Sequence, residues 1–268
     1  MSVTSTPGVE PTAPGAGVGP LLSLRQVREL QPLLMRVESV ELKVTVPEDG
    51  RRSAVVALAL DPLDARIRQV FFLDTPGLSL GAQGLVVRAR RTQRRDGDTT
   101  VKRRPLGPDV VPAELRTAPG FSTELDVLPG GYVCSGSLRH EVTNDRVAAV
   151  HGGRLPVRKL FSDAQRAFYA EALPGGPDLD DLVLLGPVNV LKLKLRLPEL
   201  DRRLVAEQWM FPDGSRTLEL SARCEPDEAF AVAAEVKACL AGRGVDLSEE
   251  QETKTQRAMA GFAAALTR

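Results

Sequence analysis

Seven residues from Leu191 to Leu197 alternate strictly between leucine and a basic side chain. Successive side chains of a β-strand point to opposite faces of the sheet, whereas a helix distributes them around its circumference. The period of two therefore predicts a strand with leucines on one face and with Lys192, Lys194 and Arg196 on the other. A strand with three basic side chains on one face needs a polar environment on that side and an apolar one on the other, and this limits the folds that the chain can adopt.

The same spacing of two recurs along the chain, with charged residues set against apolar neighbours. It occurs at Glu41 and Lys43, Arg88 and Arg90, Lys102 and Arg104, Glu124 and Asp126, Glu207 and Trp209, and Glu219, Ser221 and Arg223. Strands that all direct charge to one side predict a sheet curled around a polar interior, with other elements covering its apolar outside. The residues also fit an open sheet whose charged face is solvated and paired across strands.

The chain divides into strand-like segments and amphipathic helices. Strands are predicted at residues 37–46, 54–60, 67–73, 85–92, 99–104, 122–128, 190–197, 204–211 and 217–224. Helices are predicted from 23 to about 34, 162 to 172, 227 to 241 and 248 to 266, and the Ser-x-x-Gln pattern of a capping box opens three of them. Residues 1–22 are rich in Ser, Thr, Pro, Gly and Ala, which predicts a disordered tail before a single domain at 23–268.

Composition limits the partners. The formal net charge is zero, which argues against a general nucleic-acid or anionic-membrane surface, so the local concentration of basic residues predicts a small anion as ligand. Three widely separated cysteines predict neither a disulfide framework nor a zinc site. No segment approaches the roughly 20 apolar residues that span a bilayer. We expect a cytoplasmic protein, and the sequence leaves its oligomeric state open.

Several short motifs follow one another in a defined order. They are Glu41-Leu-Lys43, Phe72-Leu-Asp74-Thr75-Pro76, Gly84-Leu-Val-Val-Arg88-Ala-Arg90, Val101-Lys102, Glu207-Gln-Trp209, Pro212-Asp213-Gly214 and Leu218-Glu219-Leu-Ser221. Together they resemble the CYTH or triphosphate tunnel metalloenzyme superfamily, which includes inorganic triphosphatases, thiamine triphosphatases and class IV adenylate cyclases. The resemblance covers most of residues 37–223. It implies an α+β fold built on an antiparallel eight-stranded β-barrel, a tunnel with a charged lumen and flanking helices.

The resemblance also implies a function, the divalent-metal-dependent hydrolysis of an inorganic or organic triphosphate. Inward-facing cations on rigid strands would bind the phosphates. This substrate-binding set is Lys43, Arg88, Arg90, Lys102, Lys192, Lys194, Arg196 and Arg223, with Arg104 as a further member. Carboxylates would hold Mg²⁺ or Mn²⁺, which prefer hard oxygen ligands and bridge protein to phosphate. Glu41 and Glu219 are the catalytic ligands that the resemblance implies, and Glu207, Glu124 and Asp126 complete the metal-binding set.

One position departs from the family pattern. Members begin with Glu-x-Glu-x-Lys, but Ser39 stands two residues before Glu41, and Glu38 has the wrong parity to share its face. Loss of a carboxylate is expected to weaken the metal site. Two alternatives therefore stand beside the hydrolase: an adenylate cyclase of the class IV type, and a non-catalytic module that binds polyphosphate or nucleotide.

Overall fold

A closed β-barrel of nine strands forms the centre of the protein, as seen in a computed structural model that describes residues 24–106, 113–129, 131–245, 247, 258–259 and 261–262. The strands are β1 Ser39–Val46, β2 Arg66–Asp74, β3 Leu85–Thr92, β4 Arg95–Arg103, β5 Phe121–Leu128, β6 Gly131–Val142, β7 Val183–Arg196, β8 Arg203–Met210 and β9 Arg216–Cys224. Their order around the barrel is β1-β5-β6-β4-β3-β2-β7-β8-β9, and β9 pairs with β1 to close it. The predicted tail at 1–22 and most of the predicted helix at 248–266 lie outside the described residues.

The strand count and direction correct the expectation of eight antiparallel strands. Neighbouring strands can alternate in direction around a closed ring only if their number is even. With nine strands one pair must be parallel, and this pair is β1 with β5, in which Ser39 lies beside Glu124 and Glu41 beside Asp126. All other neighbouring pairs in the barrel are antiparallel. The parallel pair brings acidic side chains of β1 and β5 close together.

Helices cover the apolar outside of the barrel, as predicted. They are α1 Leu24–Leu34, α2 Arg51–Ala57, α3 Ser79–Ala82, α4 Ala113–Arg116, α5 Asn144–His151, α6 Asp163–Ala172 and α7 Ala229–Gly242. Outward residues of β1, β8 and β9 pack in one apolar cluster with α1, α2 and α7, and those of β2, β3, β4 and β6 pack in another with α5 and α6. The capping box predicted at Ser162 and Gln165 is confirmed at the start of α6.

One local prediction was wrong, and some elements were not predicted. The segment 54–60 is mostly helix α2, because Ala54 and Leu58, one helical turn apart, are buried while Val56 is exposed, a pattern that a short apolar run does not reveal in advance. Strand β6 and helix α5 were not predicted. The sequence of β6 carries Gly, Ser and Cys at several positions and lacks the alternation of Val or Leu with charge.

The interior of the barrel has an apolar end and a charged end. Val70, Phe72, Val190 and Trp209 belong to an apolar cluster that also contains Phe262, whose ring centroid lies 6.5 Å from that of Phe72. Beyond this cluster the lumen is charged. Among the residues that the structure describes, no helix has the length and apolar character that crossing a membrane needs.

Candidate functional site

A cavity of about 830 Å³ occupies the charged part of the lumen. Within the described chain ten basic and five acidic side chains line it, an excess of five positive charges. The basic residues are Lys43, Arg68, Arg88, Arg90, Lys102, Arg104, Arg139, Lys192, Lys194 and Arg223, and the acidic residues are Glu41, Glu124, Asp126, Glu141 and Glu207. The structure therefore places the charged faces of the strands inward, and the open, solvated sheet is ruled out.

Two residues of the predicted set lie away from the cavity lining. Arg196 is exposed at the end of β7, beside Arg203 of β8. Glu219 is buried on β9, where it pairs in register with Thr45 of β1, and it is near enough to Lys43 to influence the pKa of that lysine. Glu219 therefore adds a negative charge near Lys43 from outside the cavity lining.

Three carboxylates meet on the wall formed by β1 and β5. One oxygen atom each from Glu41, Glu124 and Asp126 lies within 4.8 Å of the others. The parallel register explains the meeting, since Glu41 and Asp126 are direct neighbours and Glu124 is the neighbour of Ser39. We call these three residues the carboxylate wall.

Cations already neutralise the carboxylate wall. Lys43 Nζ lies 2.7 Å from Asp126 Oδ1 and 3.0 Å from Glu41 Oε2. Lys102 Nζ lies 3.3 Å from Asp126 Oδ2 and 3.7 Å from Glu124 Oε2, and Arg223 forms an ion pair with Glu124. Three positive charges thus match three negative ones.

The pKa values of this wall follow from its pairing. Burial would raise the pKa of Asp126, but the charges of Lys102 and Lys43 outweigh it and hold the pKa well below its usual value. Burial would lower the pKa of Lys43, but Asp126, Glu41 and Glu219 together raise it above 10.5. For Lys102 burial prevails over Asp126, and the pKa falls to about 8. Lys102 is therefore the cation of this wall that loses its proton most easily.

The carboxylate wall fits a hard divalent cation in its chemistry. Its donors are carboxylate oxygens, which Mg²⁺ and Mn²⁺ prefer, and they are close enough to share one ion. Glu207, another predicted ligand, lies elsewhere, where its Oε1 atom is 3.0 Å from Lys192 Nζ and 3.3 Å from Arg68 Nη1. The predicted metal ligands thus divide between two parts of the lumen.

Strands β2 and β3 contribute a group of guanidinium side chains. Arg90 is paired with buried Asp98, with Nη2 at 2.7 Å and Nε at 2.9 Å from Oδ1. Arg68 shares Glu207 with Lys192. Arg88 is influenced by the charges of both groups. Burial and the nearby charges of Arg90 and Arg68 lower the pKa of Arg88, whereas the charges of Asp98 and Glu207 raise it. We call Arg68, Arg88 and Arg90 the guanidinium wall.

The Nε atoms of Arg88 and Arg68 are buried and have no hydrogen-bond partner within the described residues. Burial and the repulsion of Arg90 lower the pKa of Arg88 to about 9, and burial and Arg90 lower that of Arg68 to about 10. A buried guanidinium that lacks a counter-ion is unfavourable unless an anion supplies one. The charge and the unpartnered donors of the guanidinium wall therefore favour binding of an anion.

The sequence prediction missed several charged residues of the site. Arg66 and Arg68 are two residues apart, the same spacing that marks the charged faces of the other strands, so the sequence could have predicted Arg68 as an inward-facing residue. Asp98 stands two residues before Thr100 and was open to the same reasoning. Arg139 and Glu141 lie in β6, the strand that the sequence did not predict.

The Asp74-Thr75-Pro76 segment forms a structural turn. The Asp74 carboxylate accepts hydrogen bonds from the backbone N–H groups of Thr75 at 2.7 Å, Leu80 at 2.8 Å and Gly81 at 2.9 Å. These bonds fix the chain between β2 and the short helix α3. Asp74 therefore supports the barrel and does not belong to the charged site.

Comparison with known proteins gives no matching family model and no matching curated protein. Solved structures do match. A proposed adenylyl cyclase from Hippeastrum, described as having a dominant triphosphatase activity, is 14% identical with a TM-score of 0.61, and the match covers 82% of this chain and 95% of that one. A proposed adenylate cyclase from Bacillus halodurans is 13% identical with a TM-score of 0.55, over 82% of this chain and 97% of that one. At such identities the likeness concerns the fold, and the chain has the CYTH-type tunnel fold that its sequence motifs imply.

Proposed function

We propose that the protein hydrolyses a triphosphate in this cavity with the help of Mg²⁺ or Mn²⁺. The observation that carries the proposal is the buried Nε atom of Arg88, which has no partner among the described residues and lies in a cavity with an excess of five positive charges. An oligophosphate supplies several negative charges and many acceptor oxygens in one small molecule, which is what such a cavity lacks. The Hippeastrum protein, which shares the fold, is described as a triphosphatase, and this supports the same reading.

The residues divide the work between the two walls. On the guanidinium wall Arg88 and Arg90 bind phosphate oxygens, and planar guanidinium groups suit this task because they donate two parallel hydrogen bonds. On the carboxylate wall Lys43 and Lys102 bind phosphate as compact charges. Rigid strands hold all of these groups, so little order is lost when the substrate binds.

The carboxylates Glu41, Glu124 and Asp126 would hold the metal ion. When bound, the ion would neutralise negative charge on the phosphoryl group and would lower the pKa of a coordinated water. The chain itself orients the reacting group, because cations on opposite walls fix the phosphates between them. The barrel also encloses the phosphates and limits access of bulk water, which strengthens each of these electrostatic contacts.

The test is phosphate release from inorganic triphosphate, nucleoside triphosphates and thiamine triphosphate in the presence of Mg²⁺ or Mn²⁺. We expect turnover with at least one member of this panel, and its loss in Arg88→Gln. Analysis of the products formed from ATP separates hydrolysis from cyclisation, since a cyclase releases cyclic AMP and pyrophosphate. Folded protein that turns over no triphosphate with either metal would refute the hydrolase.

A second candidate function is triphosphate binding without catalysis. Two observations favour it: Ser39 occupies a position that is a glutamate in the family pattern, and the ammonium groups of Lys43 and Lys102 already contact the carboxylates that a metal would need. Calorimetric binding of tripolyphosphate by a protein that releases no phosphate would support this function over the enzyme.

A further inference from the structure

The order of strands separates the two charged walls. In the ring of nine strands, β1 and β5 are neighbours. Counted in one direction, β3 is three strands from β5, and counted in the other, β2 is four strands from β1. The carboxylate wall and the guanidinium wall therefore face each other across the lumen. Both walls contribute side chains to the same cavity.

The walls also differ in net charge. The carboxylate wall is balanced by Lys43, Lys102 and Arg223. On the opposite side the four cations Arg68, Arg88, Arg90 and Lys192 face two carboxylates, Asp98 and Glu207. Among the described residues, the cations on this side outnumber the two carboxylates by two, so this wall attracts an anion before any metal is present.

Arg68 has the features of a ligand contact. It lines the cavity, it donates through Nη1 to Glu207 at 3.3 Å, and its Nε atom is buried without a hydrogen-bond partner in the described part of the chain. The Nε atom of Arg88 on the neighbouring strand is in the same condition. Glu207 does not depend on Arg68, because Lys192 contacts the same oxygen at the shorter distance of 3.0 Å.

We propose that Arg68 and Arg88 together form an anion subsite for the phosphoryl group that lies farthest from the carboxylate wall, and that Arg68 determines the preference for longer oligophosphates. The inference rests on the proposed function, since it assigns one end of the same ligand. A triphosphate reaches the subsite while its other end stays near the carboxylates. A pyrophosphate has one phosphoryl group fewer with which to span the lumen.

The experiment compares Arg68→Gln with wild type and with the control Arg91→Gln. Arg91 lies on β3 but outside the lumen, where its Nη1 atom donates to Gln69 at 2.8 Å. Binding of tripolyphosphate and of pyrophosphate is measured by calorimetry in EDTA, and thermal unfolding is measured without ligand. We expect Arg68→Gln to weaken tripolyphosphate binding about 10- to 100-fold, since charge-assisted hydrogen bonds are lost. The loss is smaller for pyrophosphate, and Arg91→Gln binds both ligands as wild type does.

Thermal unfolding distinguishes a ligand contact from a structural ion pair. Removal of Arg68 relieves repulsion from Arg90 and leaves Glu207 with Lys192, so the melting temperature without ligand stays the same or rises. Unchanged tripolyphosphate binding, or an equal loss for both ligands, would overturn the inference and leave the proposed function intact. If wild type does not bind tripolyphosphate in EDTA, the inference is overturned, whereas the proposed hydrolase is tested separately by turnover with Mg²⁺ or Mn²⁺. Arg68→Lys keeps the charge and is expected to bind with intermediate affinity, so it tests the subsite if Arg68→Gln fails to fold.

Discussion

Replacement of Arg88 by methionine is expected to stabilise the protein without ligand and to weaken its binding of triphosphate. The pKa of Arg88 is about 9 in the folded protein against 12.5 in the unfolded chain, so at every pH below about 9 the charged form favours unfolding. At about 1.36 kcal/mol per pH unit, the difference corresponds to about 5 kcal/mol as an upper limit. Relaxation of the surroundings reduces it, and replacement of buried ionic groups by apolar ones typically gains about 1–4 kcal/mol.

For a domain of this size, such a gain raises the melting temperature by about 2–16 °C. The assay is thermal and urea unfolding in EDTA, each with and without tripolyphosphate. Tripolyphosphate should raise the melting temperature of wild type. Arg88→Met should have a higher melting temperature than wild type without the ligand, and the ligand should raise it little. Arg91→Met is the matched control, because it removes a guanidinium from the outer face of the same strand and with it a hydrogen bond to Gln69. A fall in the melting temperature of Arg88→Met without ligand would show that Arg88 serves the fold and would refute the reasoning.

Three further substitutions test the carboxylate wall. Because the pKa of Lys102 is about 8, tripolyphosphate affinity measured by calorimetry in EDTA should fall as the pH rises from 7 to 9, and Lys102→Gln should flatten this profile. The unfolded chain binds the Lys102 proton up to about pH 10.4, so the contribution of Lys102 to the free energy of unfolding should rise between pH 8 and that value in urea titrations. Asp126→Asn should lower the free energy of unfolding at pH 7 by about 3–5 kcal/mol, because two buried lysines lose their shared partner, and a loss below 1 kcal/mol would contradict this. Ser39→Glu should tighten Mn²⁺ binding, since the new carboxylate would stand beside Glu124, and unchanged binding would count against the register.

The alternation of charge and leucine predicted strands with one charged face, and the ordered motifs that resemble the tunnel family favoured a closed barrel over an open sheet. In Leu191–Leu197 the period of two is unbroken, and the structure places Lys192 and Lys194 in the cavity as that period requires. The prediction failed where the pattern carries little information. Residues 54–60 form an apolar run that suits either a strand or a helix. Strand β6 is rich in small residues, and its sequence does not show the alternation that marks the other strands.

The pairing of charges could not be predicted, because it depends on register between distant strands. Glu124 and Asp126 meet Glu41 only because β5 runs parallel to β1 with this offset. Arg196 has the same parity as Lys194, but it is the last residue of β7 and lies outside the cavity lining. Parity gives the face that a side chain occupies, whereas its position along the barrel axis follows from the shear of the closed sheet.

Metal and phosphate are expected to bind together, because the carboxylate wall carries its own counter-ions. A divalent cation gains little from a wall on which Lys43, Lys102 and Arg223 already balance three carboxylates. An oligophosphate that draws the lysines to its own oxygens leaves those carboxylates to the metal, and by linkage each ligand then raises the affinity for the other. Lys43→Met tests this without phosphate: it should raise Mn²⁺ affinity about tenfold or more over wild type in a calorimetric titration, because Asp126 and Glu41 lose their closest cation. Equal Mn²⁺ affinity in the two proteins would mean that Lys43 does not compete with the metal, and the coupling would then need another cause.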